Sequence, residues 1–115
     1  MIDMQKVLEA SENYMIRHDY DVQDIIDDVI IAYDYNDDNS IVFAKVSYGN
    51  KDEVDGFVGG WKNRQEAETF AARILLNGIL GKDRLVRFDT IQMLVNQETQ
   101  IGFLKHHINC FGLEG

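Results

Sequence analysis

Three stretches in a fixed order constrain this chain most. Residues 40–49, "SIVFAKVSYG", read as a β-strand, residues 61–80, "WKNRQEAETFAARILLNGIL", as a helix, and residues 85–96, "LVRFDTIQMLVN", as a second strand. Strand, helix and strand in succession make a crossover unit, a connection with few permitted topologies. In the helix, Ala67, Phe70, Ala71, Ile74 and Leu75 form one apolar stripe, and Asn77 with Gly78 supplies a stop signal. Along the first strand, Val42, Ala44, Val46 and Tyr48 point one way, apolar enough for a core face. Ile41, Phe43, Lys45 and Ser47 point the other way, so this face begins apolar and ends with a lysine and a serine.

The remaining elements frame that unit. Residues 3–18 read as a helix, with Met4, Val7, Leu8, Ser11, Tyr14 and Met15 at the 3-4 spacing of one face. "RHDYD" closes it and a short extended piece follows. "IIDDVIIAYDY", residues 25–35, reads as a strand, and "NDDNS", 36–40, as a turn, so 25–48 is a hairpin. Residues 49–60 are an irregular loop, and 100–111, "QIGFLKHHINCF", the last strand. The order predicts one α/β (α+β) domain over 1–115, with a central mixed sheet of about five strands flanked by helices.

Composition removes several function classes. Apolar residues make up 45% of the chain. At this length folding buries roughly two thirds of the unfolded surface, so a core forms without disulfides. Cys110 is the single cysteine, which fits a reduced, cytoplasmic setting and a small buried residue near a strand end. It also rules out cysteine-based zinc spacings. No apolar run is long enough for a membrane, and "MIDMQKVLEASENYM" lacks the apolar segment of a signal peptide. The 20 acidic residues outnumber 11 basic ones, which disfavours general nucleic-acid affinity. Residues 19–38 hold eight Asp and no Lys or Arg. Such a cluster can hold metal ions, but solvated turns account for most of it. No phosphate-binding glycine loop is present, because "GFVGGW" lacks the Lys-Ser/Thr ending.

The ordered elements and several short matches are similar to the YraN-type predicted endonucleases, a branch of the restriction-endonuclease-like PD-(D/E)xK superfamily close to Holliday-junction resolvases. The resemblance covers residues 4–111. "NYMIRHDYDV" stands where the family's first helix ends. "IIDDVIIA" loosely matches a Gly-Glu-Ile-Asp-Leu-Ile-Ala strand, and "IVFAKVS" matches Leu-Val-Phe-Val-Glu-Val-Lys. Lys62, "RFDTI" (87–91) and "HHINCF" (106–111) match later features. The resemblance implies a restriction-endonuclease-like fold and a site where Asp and Glu bind Mg²⁺ or Mn²⁺ while a Lys two residues further activates water.

The chain departs from that pattern at the chemistry. Asp28, with Asp27 beside it, stands for the metal-binding Asp, whereas Lys45 replaces the Glu and Ser47 the Lys. A cation where a metal ligand belongs removes one ligand and adds a repulsive neighbour. The resulting expectation is an inactive nuclease-fold protein in which Lys45 pairs with Asp28, left with a nucleic-acid or protein-binding role. A second reading is an active nuclease for branched or single-stranded DNA. It would draw carboxylates from Asp27, Asp28, Asp89 and Glu9, and a base from Lys45 or Lys62; the helix Glu of some resolvases, which the resemblance implies, is matched by Glu9 or Glu12. A third is an assembly module, including a homodimer, built on Phe57, Val58 and Trp61, against which Trp61 reads as the first core residue of its helix. His18, His106 and His107 are expected in structural roles, since neighbours on a strand face opposite sides. Arg87 and Asp89 share a strand face, so an ion pair is expected between them.

Overall fold

The computed structural model describes residues 3–50, 60–76, 84–96, 98–99 and 101–111. The proposed loop, the Phe57–Val58 surface and the Asn77-Gly78 stop fall largely or wholly outside these residues. Among the described residues, five strands form a mixed sheet with one helix on each face, in the order α1 (Met4–Arg17), β1 (Tyr20–Ile26), β2 (Val29–Asp34), β3 (Ser40–Asn50), α2 (Arg64–Leu76), β4 (Val86–Asn96) and β5 (Ile101–His107). The strands lie in the order β1-β2-β3-β4-β5. All neighbours are antiparallel except β3 and β4, which α2 joins as a parallel pair. The crossover unit is therefore present, as is the α+β class.

Local chemistry explains the boundaries. Asp3 caps α1 by accepting a 3.0 Å hydrogen bond from the Lys6 N–H. Val7, Ser11 and Met15 are buried on the predicted stripe. In α2, Asn63 Oδ1 accepts from the Glu66 N–H at 2.8 Å, so the helix starts at Arg64 rather than 61. Trp61 precedes the helix and is a core residue, 9% exposed, its indole N–H donating to the Asp89 carbonyl at 3.1 Å.

One predicted strand is in fact two. Residues 25–35 break at Asp27-Asp28, because Ile26 pairs with Val29 across a two-residue turn and Asp27 takes a φ of 54°. Short hairpin turns of this kind need a left-handed residue, and Asp tolerates that region. The extended piece after α1 is consequently a full strand. The β2–β3 connection uses the same device at Asp38 and Asn39, with φ of 51° and 58°.

β3 is central and covered on both faces. Ile41 and Phe43 pack with Val29, Ile31, Trp61 and the α2 residues Ala67, Ala71 and Ile74. Val42, Ala44 and Val46 pack with Ile30, Ala32, Ile91 and the α1 residues Val7 and Met15. Among the described residues no helix is long and apolar enough to cross a membrane.

Candidate functional site

The polar end of β3 begins where the α2-side core stops. Lys45 lies directly opposite Val29 on β2 and Thr90 on β4. Its ammonium donates to Glu66 Oε1 at 2.7 Å and stands 5.2 Å from the centre of the Trp61 indole. The two charged side chains are 22% and 29% exposed, so the pair is partly shielded. Glu66 is delivered by the first turn of α2, oriented by the Asn63 cap. The hydrogen bond from Lys45 holds the Glu66 carboxyl below its usual range, against a smaller opposing effect of burial. A cleft of about 290 Å³ opens here, lined by Asp27, Asp28, Val29, Lys45, Trp61 and Glu66 among others.

The expected partner of Lys45 is corrected by this geometry, which pairs it with Glu66 and not with Asp28. Asp27 and Asp28 form the β1–β2 turn, and the Asp28 carbonyl accepts from the Val46 N–H at 2.7 Å. The strand position facing Lys45 belongs to a valine, one residue further along. Ser47 pairs with Gln92 in register, and its hydroxyl has no hydrogen-bond partner. Asp27, Asp28 and Glu66 border one cleft, yet among the described residues no group of three His, Cys, Asp or Glu side chains is arranged to hold a metal ion. Glu9 and Glu12 ride on α1, which packs against the other face of the sheet, and Lys62 is exposed just before α2.

That other face carries a buried polar network. Arg87 pairs in register with Val42 and Asp89 with Ala44, so both project toward the α1 side. The five N–H bonds of Arg87 all find acceptors. Nε donates to Asp89 Oδ1 at 2.9 Å. Nη1 donates to Asp34 and Asp37, each at 2.8 Å, and Nη2 to Asp89 Oδ2 at 2.8 Å and the Tyr20 hydroxyl at 2.9 Å. Asp89 is fully buried and also accepts from His106 Nε2 at 2.8 Å and the Asn109 N–H at 2.9 Å. With Nε2 protonated, His106 accepts at Nδ1 from the Tyr14 hydroxyl at 2.9 Å. Burial pushes the Asp89 carboxyl up, but the hydrogen bonds from His106 and Arg87 outweigh it and hold the group below its usual range. Burial raises the Tyr20 phenol to about 12, with Arg87 acting in the opposite direction.

The expected Arg87–Asp89 ion pair is present, and the structural role of His106 is plain from its two bonds. Both lie on the sheet face opposite Lys45, so Asp89 does not join the cleft. His18 caps α1 at its exposed C-terminal end. Cys110 corrects the expectation of burial: it is exposed in the turn after β5, where its thiol donates to the Phe88 carbonyl at 3.2 Å. Burial of the sulfur atom's surroundings raises that thiol's pKa, which makes it a poorer nucleophile. Glu66 is the site residue that sequence reading missed. Its one signal is an acid in the first turn of a helix that follows the Lys45 strand.

No family model, curated protein or solved structure matches this chain.

Proposed function

We propose that this chain is a restriction-endonuclease-like protein, similar to the YraN type, that has lost metal-dependent hydrolysis and acts as a binding module in the cytoplasm. The helix, three antiparallel strands, crossover helix and parallel strand support the fold assignment. The observation that carries the functional reading is the Val29–Lys45–Glu66 arrangement. A site for Mg²⁺ or Mn²⁺ needs anionic oxygens on adjacent strands. Here one strand position is apolar and the next is an ammonium, which can only donate hydrogen bonds and repels a dication. The nearest carboxylate, Glu66, already accepts from that ammonium. On this reading the Lys45 ammonium supplies, on a tethered side chain, the positive charge that a metal ion would bring. With 20 acidic and 11 basic residues, a protein partner fits better than a nucleic acid.

The test is a cleavage assay with Mn²⁺ or Mg²⁺ on a panel of junctions, flaps and single strands. No cleavage is expected. One observation favours a second reading, a nuclease with a rearranged site: Asp27, Asp28 and Glu66 border the cleft that holds Lys45. Cleavage lost in both Asp28→Ala and Glu66→Gln would establish that reading in place of the first.

A further inference from the structure

The sheet ends in two strands, β1 and β5, and each presents a row of backbone N–H and C=O groups that no neighbouring strand takes up among the described residues. Such rows pair readily with another extended chain. The two edges differ. β1 is irregular between Val22 and Asp24 and exposes Asp21 and Asp24, features that discourage pairing. β5 pairs with β4 without a break from Ile101 to His107. It has no proline, and its one Lys, Arg, Asp or Glu is Lys105, in a chain with 20 acidic residues. Phe103 is 52% exposed, and Lys105 and His107 are exposed beside it on the same strand face. Leu104, on the other face, is half-buried against the α1-side core.

We propose that β5 pairs with β5 of a second copy, antiparallel about a two-fold axis at Leu104, joining the two five-strand sheets into one. A two-fold edge contact needs a strand that complements its own reverse. Leu104 is the middle of β5, so this axis pairs all seven residues of the strand. It sets Phe103 opposite Lys105 of the second copy on both sides of the axis. The ring face attracts the ammonium, and the lysine stem covers the ring. Leu104 meets Leu104 of the second copy and extends the α1-side core across the axis. An axis at Lys105 would instead oppose two ammonium groups. The net charge of −9 repels a second copy at long range, but β5 brings no carboxylate to the contact and salt screens the rest. Seven residues a side is small for an interface, so the dimer dissociates at a concentration on the order of 100 μM. The pairing does not depend on the reading of the Lys45 cleft.

Sedimentation velocity of the whole chain, from about 10 μM to about 1 mM, reads the association. A monomer–dimer equilibrium with nothing larger is expected. Amide hydrogen exchange in the β5 residues is expected to slow as concentration rises, while β1 exchange stays constant. Phe103→Lys sets an ammonium opposite Lys105 of the second copy in two symmetric contacts, and should weaken the dimer about tenfold. Adding Lys105→Glu turns both contacts into opposite-charge pairs and should restore the dimer. If Phe103→Lys does not fold, the exchange profile of the wild type decides alone. A monomer at every concentration, a dimer that leaves β5 exchange unchanged, or no rescue by Lys105→Glu overturns the proposal. So does growth past the dimer, the mark of β5 pairing with the acidic β1 edge of another copy.

Discussion

Lys45 and Glu66 join the central strand to the crossover helix through a 2.7 Å ion pair beside the Trp61 ring. Both side chains keep partial solvent contact, so the pair is worth at most about 1 kcal/mol. A double-mutant cycle of Lys45→Met and Glu66→Gln, read by urea denaturation, is expected to give a coupling of that size. In Lys45→Met, the Glu66 carboxyl should titrate higher, nearer its ordinary 4.5, in a carbon-detected NMR titration. An unchanged Glu66 titration would remove the pair from the account.

Arg87 carries more of the fold than Lys45. It is 7% exposed and bonds three carboxylates and a phenol. Arg87→Met strands the Asp89 carboxylate in the interior, which costs about 3–5 kcal/mol. Arg87→Lys should recover little, since an ammonium cannot fill five planar donor positions. Adding Asp89→Asn to Arg87→Met is expected to return part of the loss, because the stranded charge is gone. Equal stability of Arg87→Lys and the wild type by urea midpoint would contradict this network.

The same network is expected to contribute to the pH dependence of stability at both ends. Asp89 has a depressed folded pKa, so its stabilisation is complete above the ordinary value of 3.8 and disappears as pH falls through the lower folded value. Tyr20 has a raised one, so its contribution is complete below 10 and is lost as pH climbs toward about 12. Thermal melts from pH 2 to 12 are expected to show a shallower acid limb in Asp89→Asn and a shallower alkaline limb in Tyr20→Phe. Limbs parallel to the wild type in both variants would assign the pH response to other groups.

Sequence pattern reached the elements that repeat locally and stopped where partners are distant. The α1 stripe, the alternation of β3 and the crossover through α2 all follow from periodicities of a few residues. The β1–β2 turn was hidden because isoleucines flank Asp27-Asp28 closely enough to read as one strand. Asp34 and Asp37 looked like solvated turn acids. They serve an arginine 50 or more residues later, a contact that no local signal announces. The polar end of β3 at Lys45 stands out in the strand alternation, but its partner comes from α2, 21 residues on, rather than from the adjacent turn. The residue facing Lys45 depended on register, and a single-residue slip separates Asp28 from Val29.

Calorimetric titration with Mn²⁺ tests the central claim most directly. The wild type is expected to show no stoichiometric binding, because Lys45 stands opposite Val29 and its ammonium engages Glu66. Replacing the blocking residues, in Val29→Asp with Lys45→Glu, should create a measurable single Mn²⁺ site on adjacent strands. Tight one-to-one binding to the wild type, abolished by Asp28→Ala, would contradict the account.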